Sequence, residues 1–203
     1  MSHYLKENKM PKGVRKPVFG VGINDYPGTS SWTVNGVRFK CPLYRKWVSM
    51  LARCYKEEYL ATFPTYTGCS VSEKWKLFSN FRAWMETQDW KGKELDKDIL
   101  VEANKVYSEE TCVFISRELN AFLNDHRSAR GLYKLGVSWH KNTEMFVSQC
   151  SDPVTGKSEH LGLFHSEEEA HLVWKQKKHE HALAYAEQQT DPRVAEALRT
   201  RYL

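Results

Sequence analysis

The sequence predicts an α+β protein: a helical region, then a strand–loop–strand–helix unit, then a three-stranded antiparallel sheet packed on a helix. Three observations carry this. Apolar residues recur at helical spacing over 43–55 and again over 75–85. Two short apolar runs, 94–99 and 112–115, are followed by a Ser-capped helical stretch. Three short strand-like runs between 136 and 164 precede a second capped helix.

The chain has 203 residues, enough for one ordinary domain or two small ones. Apolar residues make up 41% and there are seven Trp, so a packed core is within reach. There is no run of 18 apolar residues, so no membrane span is expected. The polar start, MSHYLKENKMPKG, lacks the apolar stretch of a secretory signal. Five Cys form no CxxC pair, which argues against zinc and for reduced thiols in a cytosol.

Residues 1–40 contain Pro11, Pro17 and Pro27 and many Gly, and read as a basic arm with little regular structure. Within it, VFGVGIN (18–24) can pair as a short strand. Residues 1–60 hold 11 Lys/Arg against 4 Asp/Glu, while the whole chain carries +5. That asymmetry points to a polyanionic partner such as nucleic acid, or to a solvated surface.

From Leu43 to Tyr55, Tyr44, Trp47, Val48 and Leu51 define an amphipathic helix, with Arg45, Lys46, Arg53 and Lys56 on its other face. After a loop over 62–68, Ser70 with Glu73 gives a capping-box signal. Trp75, Phe78, Phe81 and Met85 then fall on one helix face and belong in a core. Residues 94–99 read as a strand, with a loop through Asn104. Cys112–Ile115 reads as a second strand, and Ser116 caps a helix that carries Asn120 and runs to about Asn124. Residues 125–131, DHRSARG, look like a linker.

Beyond it, GVSWH (136–140), EMFVSQC (144–150) and HLGLF (160–164) are strand candidates, with turn chemistry at Asn142 and DPVTG (152–156). Ser166 with Glu169 repeats the capping pattern before a long helix with Ala170, Val173, Trp174, Lys177, His181 and Ala184 near one face. Asp191 before Pro192 starts a last short helix. The expected organisation is an arm (1–40), a central domain (41–127), a sheet-and-helix domain (128–189) and a terminal helix (190–203).

KELDKDIL (93–100) is the one chemically unusual stretch, because strands avoid Asp. On a strand, Asp96 and Asp98 at i and i+2 share a face. Two carboxylates together repel unless a cation lies between them, and such oxygen ligands suit magnesium. Asn104 and Asn120 could add neutral oxygens. The structural alternative is that Asp96 caps a turn and Asp98 pairs with Lys97.

The order Trp75…Phe78…Trp84, then LDKDIL, then NKVYSEETCVFIS, then a helix with Asn120 resembles phage proteins related to HNH endonucleases. YRKWVSMLARCY and GCSVSEKWKLFSNFRAWM resemble that family's upstream helices, so the likeness covers about residues 41–125. It implies a ββα-metal hairpin and a magnesium-dependent endonuclease or nickase acting on double-stranded DNA in the cytoplasm. Asp96 and Asn120 match the metal-ligand positions, with Asn104 as a further candidate. Lys97 stands where the family places its base His. A Lys of ordinary pKa is protonated at neutral pH and is a poor base. Asp98 would then assist the water, and Lys97 or Lys105 would stabilise charge on the phosphate. The other implication is an inactive nuclease whose fold persists as a DNA-binding body, acting as a regulator or as an inhibitor of a host or competing system.

RGLYKLGVSWHKNTEMFVSQCSDPVTGKSEHLGLFHSEEEAHLVWKQKKH (130–179) resembles the APETALA/ethylene-response-factor type of DNA-binding domain in its G-V-x-W start, its G-K before H-L-G-x-F and its E-E-A-x-x-x-W helix. It implies that the sheet enters the major groove with alternate side chains facing DNA. Arg130, Lys134, Trp139, Lys141, Phe146, Ser148, Gln149, Lys157 and His160 are the candidates, with Arg45, Lys46 and Arg53 from the first helix. Strand parity decides which of the sheet residues point outward. The bland reading puts Trp139, Phe146, Leu161 and Phe164 in a core under the helix with Trp174 stacked on them, and for Leu161, Phe164 and Trp174 it is the expected one.

Overall fold

The computed structural model describes residues 16–124, 132–153 and 155–203. In chain order the elements are β1 (Ser31–Val34), β2 (Val37–Lys40), α1 (Pro42–Tyr55), α2 (Glu57–Thr62), β3 (Ser70–Val71), α3 (Glu73–Lys76), α4 (Phe78–Glu86), β4 (Glu94–Asp96), β5 (Val106–Tyr107), β6 (Val113–Ile115), α5 (Arg117–Leu123), β7 (Val137–His140), β8 (Met145–Ser151), β9 (Ser158–Phe164), α6 (Glu167–Ala186) and α7 (Pro192–Thr200). The class is mixed α and β. The chain forms two compact units. One is Met1–Asp89 with Asn104–Thr111, and the other is Trp90–Ala103 with Cys112–Leu203. These units cut through the segment 41–127 that the sequence suggests as one domain.

In the first unit, α1 buries Trp47, Met50, Leu51 and Cys54. The Trp47 indole donates to the Trp75 carbonyl at 2.7 Å, which satisfies a polar group deep in the core. Trp75, Phe78, Phe81 and Met85 are buried, as their spacing predicts. They sit on two helices, not one. Leu77 is extended, and the backbone of Ile23 takes both the Lys76 carbonyl (2.8 Å) and the Phe78 N–H (3.0 Å). That outside strand contact replaces helical hydrogen bonding and splits α3 from α4. Ser70 is not the cap that the sequence suggests; it lies in β3, paired in parallel with β5.

The arm is also more ordered than its Pro and Gly content predicts. Residues 31–40 form an antiparallel hairpin, Trp32 opposite Phe39, turning at Asn35 and Gly36 with φ of 49° and 77°. Both turn residues sit in the left-handed region, as a two-residue hairpin with a primed turn requires.

In the second unit, β4 pairs antiparallel with β6, Leu95 opposite Phe114. The Ser116 hydroxyl caps α5 by accepting from the Leu119 N–H at 3.1 Å. This is the expected strand–strand–helix order, but β4 ends at Asp96, three residues early. Ile99, Val113, Ile115, Leu119 and Phe122 share one core with Ala182, Ala186, Val194, Ala195 and Leu198. The end of α6 and all of α7 therefore pack with α5, and the boundary expected near residue 127 does not separate two cores. Lys178 ties the same helices. Its ammonium lies 3.7 Å from the centre of the Phe122 ring and donates to the Phe122 carbonyl at 2.7 Å.

The other half of α6 backs the antiparallel sheet β7–β8–β9. The Ser166 hydroxyl caps it, accepting from the Glu169 N–H at 3.1 Å, with Glu167, Glu168 and Glu169 in its first turn. Gly136 precedes β7 at φ 75°, and a Cβ there would lie 1.9 Å from the Trp174 ring, so only Gly allows this approach.

Candidate nucleic-acid interface

The KELDKDIL stretch folds into a turn held by its own side chains. One Asp96 carboxylate oxygen accepts from the Asp98 N–H at 2.8 Å and the Ile99 N–H at 2.7 Å. Burial pushes the Asp96 carboxyl up from its ordinary range, against the pull of those two N–H groups, and the neighbouring Asp98 charge adds to the rise. Lys97 is only 6% exposed, and its ammonium donates to both oxygens of Asp98, at 2.6 and 2.8 Å. Because the strand stops at Asp96, strand alternation does not set where Asp98 points. The structural alternative raised by the sequence is thus what the chain adopts.

This donor set does not suit magnesium. One carboxylate holds the backbone, the other holds an ammonium, and that buried cation would oppose a second one nearby. Asn120 is half-buried on α5, which packs against β4. Asn104 belongs to the other compact unit. Its amide donates to the Val106 carbonyl at 2.7 Å and its oxygen accepts from the Val106 N–H at 3.0 Å. Among the described residues, no group of three His, Cys, Asp or Glu side chains gathers as ion ligands do.

Several cations proposed for phosphate or for DNA are engaged with the protein itself. Lys105 donates to the carbonyls of Thr65 (2.9 Å) and Thr67 (3.2 Å). Arg53 donates to the Tyr107 hydroxyl at 3.5 Å and lies 5.8 Å from the centre of the Tyr66 ring. Burial pushes the Tyr107 phenol well up, against the pull of the Arg53 charge. Lys134 donates its side chain to Glu168 at 2.7 Å and its N–H to Glu167, fastening the approach to β7 onto the start of α6. Arg45 is exposed and Lys46 half-buried on α1. Arg130 lies outside the described residues.

Register sorts the sheet. Cys150 is buried opposite Glu159, and the Glu159 carboxylate meets Lys177 of α6 at 3.2 Å, so this face looks toward the helix. Alternation along β8 puts Ser148 and Phe146 on the same side. Ser148 is fully buried, and Phe146 makes an edge contact at 4.8 Å with its partner Trp139. Three of the residues proposed to touch DNA, Trp139, Phe146 and Ser148, thus line the helix side of the sheet.

The other face carries Gln149 directly opposite His160, both exposed. A register shift between Ser148 and Gln149 lets β9 absorb one extra residue, which turns His160 outward with Gln149. Ser138, His140, Ser151 and Ser158 share this face by register, and all four are exposed. None of these four is singled out by sequence; counting alternate positions from Gln149 finds Ser151, but His160 and Ser158 need the bulge. Lys141 and Lys157 are exposed in the turns at opposite ends of β8.

Comparison of the chain with protein families, with curated proteins and with solved structures finds no match. No helix among the described residues is long and apolar enough to cross a membrane.

Proposed function

We propose that this chain is a double-stranded DNA-binding protein that lays the open face of β7–β9 into the major groove, with the strand–strand–helix unit as scaffold. The observation that carries it is Gln149 opposite His160, exposed on the face turned away from α6. A small sheet fits the major groove, and a Gln amide matches the edge of adenine while imidazole can meet guanine. Lys141 and Lys157 lie at the two ends of a strand roughly 20 Å long, suitably placed for phosphates on either side of a groove about 12 Å wide. The strand residues of this face carry no Lys or Arg, so binding would rest on base edges and a few phosphate contacts.

The resemblance to HNH proteins also implies a magnesium-dependent endonuclease. The engagement of Asp96 with backbone N–H groups and of Asp98 with Lys97 weighs against it. One experiment separates the readings. The purified protein and its Gln149→Ala and Asp96→Asn variants are mixed with supercoiled plasmid and magnesium, and with labelled duplex. Duplex binding weakened by Gln149→Ala, without cutting, is the expected result. Metal-dependent nicking abolished by Asp96→Asn would replace this reading with the nuclease one.

A further inference from the structure

The β1–β2 hairpin separates its side chains sharply. Trp32 faces Phe39 and Val34 faces Val37, so four large apolar residues share one side, while Ser31, Thr33, Arg38 and Lys40 take the other. The apolar side is open to water: Trp32 is 46% exposed, Val34 50%, Val37 57% and Phe39 44%. The two aromatic rings stack on each other, 15° apart in plane with centres separated by 6.2 Å, and both are exposed. Two strands alone are marginally stable, and a grouped apolar face left in water marks a surface for a partner.

Charge says which partner. From Tyr26 to Lys56 there are six Lys/Arg and no Asp/Glu. Arg38, Lys40, Arg45 and Lys56 among them are exposed. Arg38 and Lys40 lie on the face away from the rings, where the Arg38 guanidinium donates to the Ser31 hydroxyl at 3.1 Å. A two-stranded ribbon with strands about 5 Å apart is narrower than the reach of an Arg or Lys side chain, so a polyanion laid on the rings has both cations within range at its edge. A second copy of the chain would bring cations to cations. Four apolar side chains also fall far short of the roughly 20 to 30 residues a side in a stable interface. A polyanion with flat apolar faces satisfies both sides of the ribbon. In a duplex those faces are buried in the stack; in a single strand they are free.

We propose that the β1–β2 hairpin docks single-stranded nucleic acid, stacking bases on Trp32 and Phe39 and holding phosphates with Arg38, Lys40 and Arg45. It shares the nucleic-acid reading of the C-terminal sheet but none of its residues.

The test uses the full chain, a labelled oligothymidylate of about 15 nucleotides and a duplex of the same length. Trp32→Ala/Phe39→Ala should weaken oligothymidylate binding about tenfold or more and leave duplex binding within about twofold. Gln149→Ala/His160→Ala should do the reverse. Arg38→Ala/Lys40→Ala should flatten the salt dependence for the single strand by about 0.7 in log–log slope for each phosphate no longer held. Because these side chains are exposed, the variants should keep the wild-type circular dichroism. No oligothymidylate binding by the wild type, or binding unchanged in both hairpin variants, overturns the proposal. So does a wild-type dimer that the aromatic variant turns into a monomer without loss of single-strand affinity, which would assign the face to self-association. Hairpin-dependent single-strand binding without duplex binding would sink the sheet reading and leave this one standing.

Discussion

Two places in the second compact unit carry polar side chains that attract a functional reading, and they differ in what those side chains touch. In the turn after β4, Asp96 holds two N–H groups and Lys97 holds Asp98. On the open face of β7–β9, Gln149 and His160 are exposed across from each other, and Gln149 accepts a 3.5 Å hydrogen bond from the Ser158 hydroxyl. A side chain that closes the fold is not free to grip a ligand. Under the proposed function the turn is structure and the sheet face is the recognising surface, so substitutions at the two should fail in different assays.

Asp96→Ala should have the largest effect. It strips the acceptor from two N–H groups in a buried turn, and unsatisfied groups of that kind cost about 1 to 3 kcal/mol each, so a loss of about 2 kcal/mol or more is expected. Chemical denaturation would measure it, and duplex affinity of the folded variant should be unchanged. Full stability in this variant would break the contrast. The pH dependence sharpens it. Folding raises the Asp96 pKa by burial, so the folded state takes up a proton more readily than the unfolded chain. The pH-dependent part of the stability Asp96 contributes is then full below its ordinary value of 3.8 and is lost as pH rises through the higher folded-state value, while the two N–H bonds remain. Asp96→Asn keeps an acceptor oxygen without the charge. It should gain on wild type as pH climbs from 3.8, read as the difference between two denaturation series. The opposite slope would mean a lowered pKa, the mark of a cation at the carboxylate.

Gln149→Ala comes next. It should leave the denaturation midpoint within about 0.5 kcal/mol of wild type, as exposed substitutions do. Duplex affinity should fall about tenfold, the worth of one good base contact. Lys141→Ala and Lys157→Ala should act more weakly. Each should flatten the salt dependence of duplex binding by about 1 in log–log slope, with no change in base preference. Equal effects of Gln149→Ala on all sequences would show that the face does not read bases.

How much of this was legible in the sequence follows from the range of the interactions. Periodicity placed Trp47 and the aromatic side of α3 and α4 in a core, and the Ser116, Ser166 and Asp191 caps start the helices they were expected to start. The β1–β2 hairpin was also legible, through Asn35–Gly36 between alternating residues, but the surrounding Pro and Gly drew the reading toward an arm with little regular structure. Other features needed contacts far apart in sequence. The break at Leu77 depends on Ile23, and the placing of His160 on the same face as Gln149 depends on the extra residue in β9. Pairing of Lys97 with Asp98 was one of two readings that local spacing left open. The hydrogen bonds of Asp96 to two N–H groups and of the buried Lys97 to Asp98 separate them.

Lys134→Ala is the smallest expected effect and the most direct check on what an engaged charge means. By sequence it belongs with Lys141 and Lys157 as a phosphate contact. In the structure its ammonium meets Glu168 and its N–H meets Glu167, both at the start of α6. The Glu168 carboxylate raises the pKa of Lys134, so the ammonium is the favoured state there. Removing this side chain leaves the backbone bond to Glu167 in place and exposes no apolar core. Stability should hardly move, since an exposed ion pair contributes little. The salt dependence of duplex binding should also stay at its wild-type slope, in contrast to Lys141→Ala and Lys157→Ala. A flattening by about 1 would show that DNA draws Lys134 away from Glu168. Engagement within the folded chain would then no longer separate structural cations from those that bind.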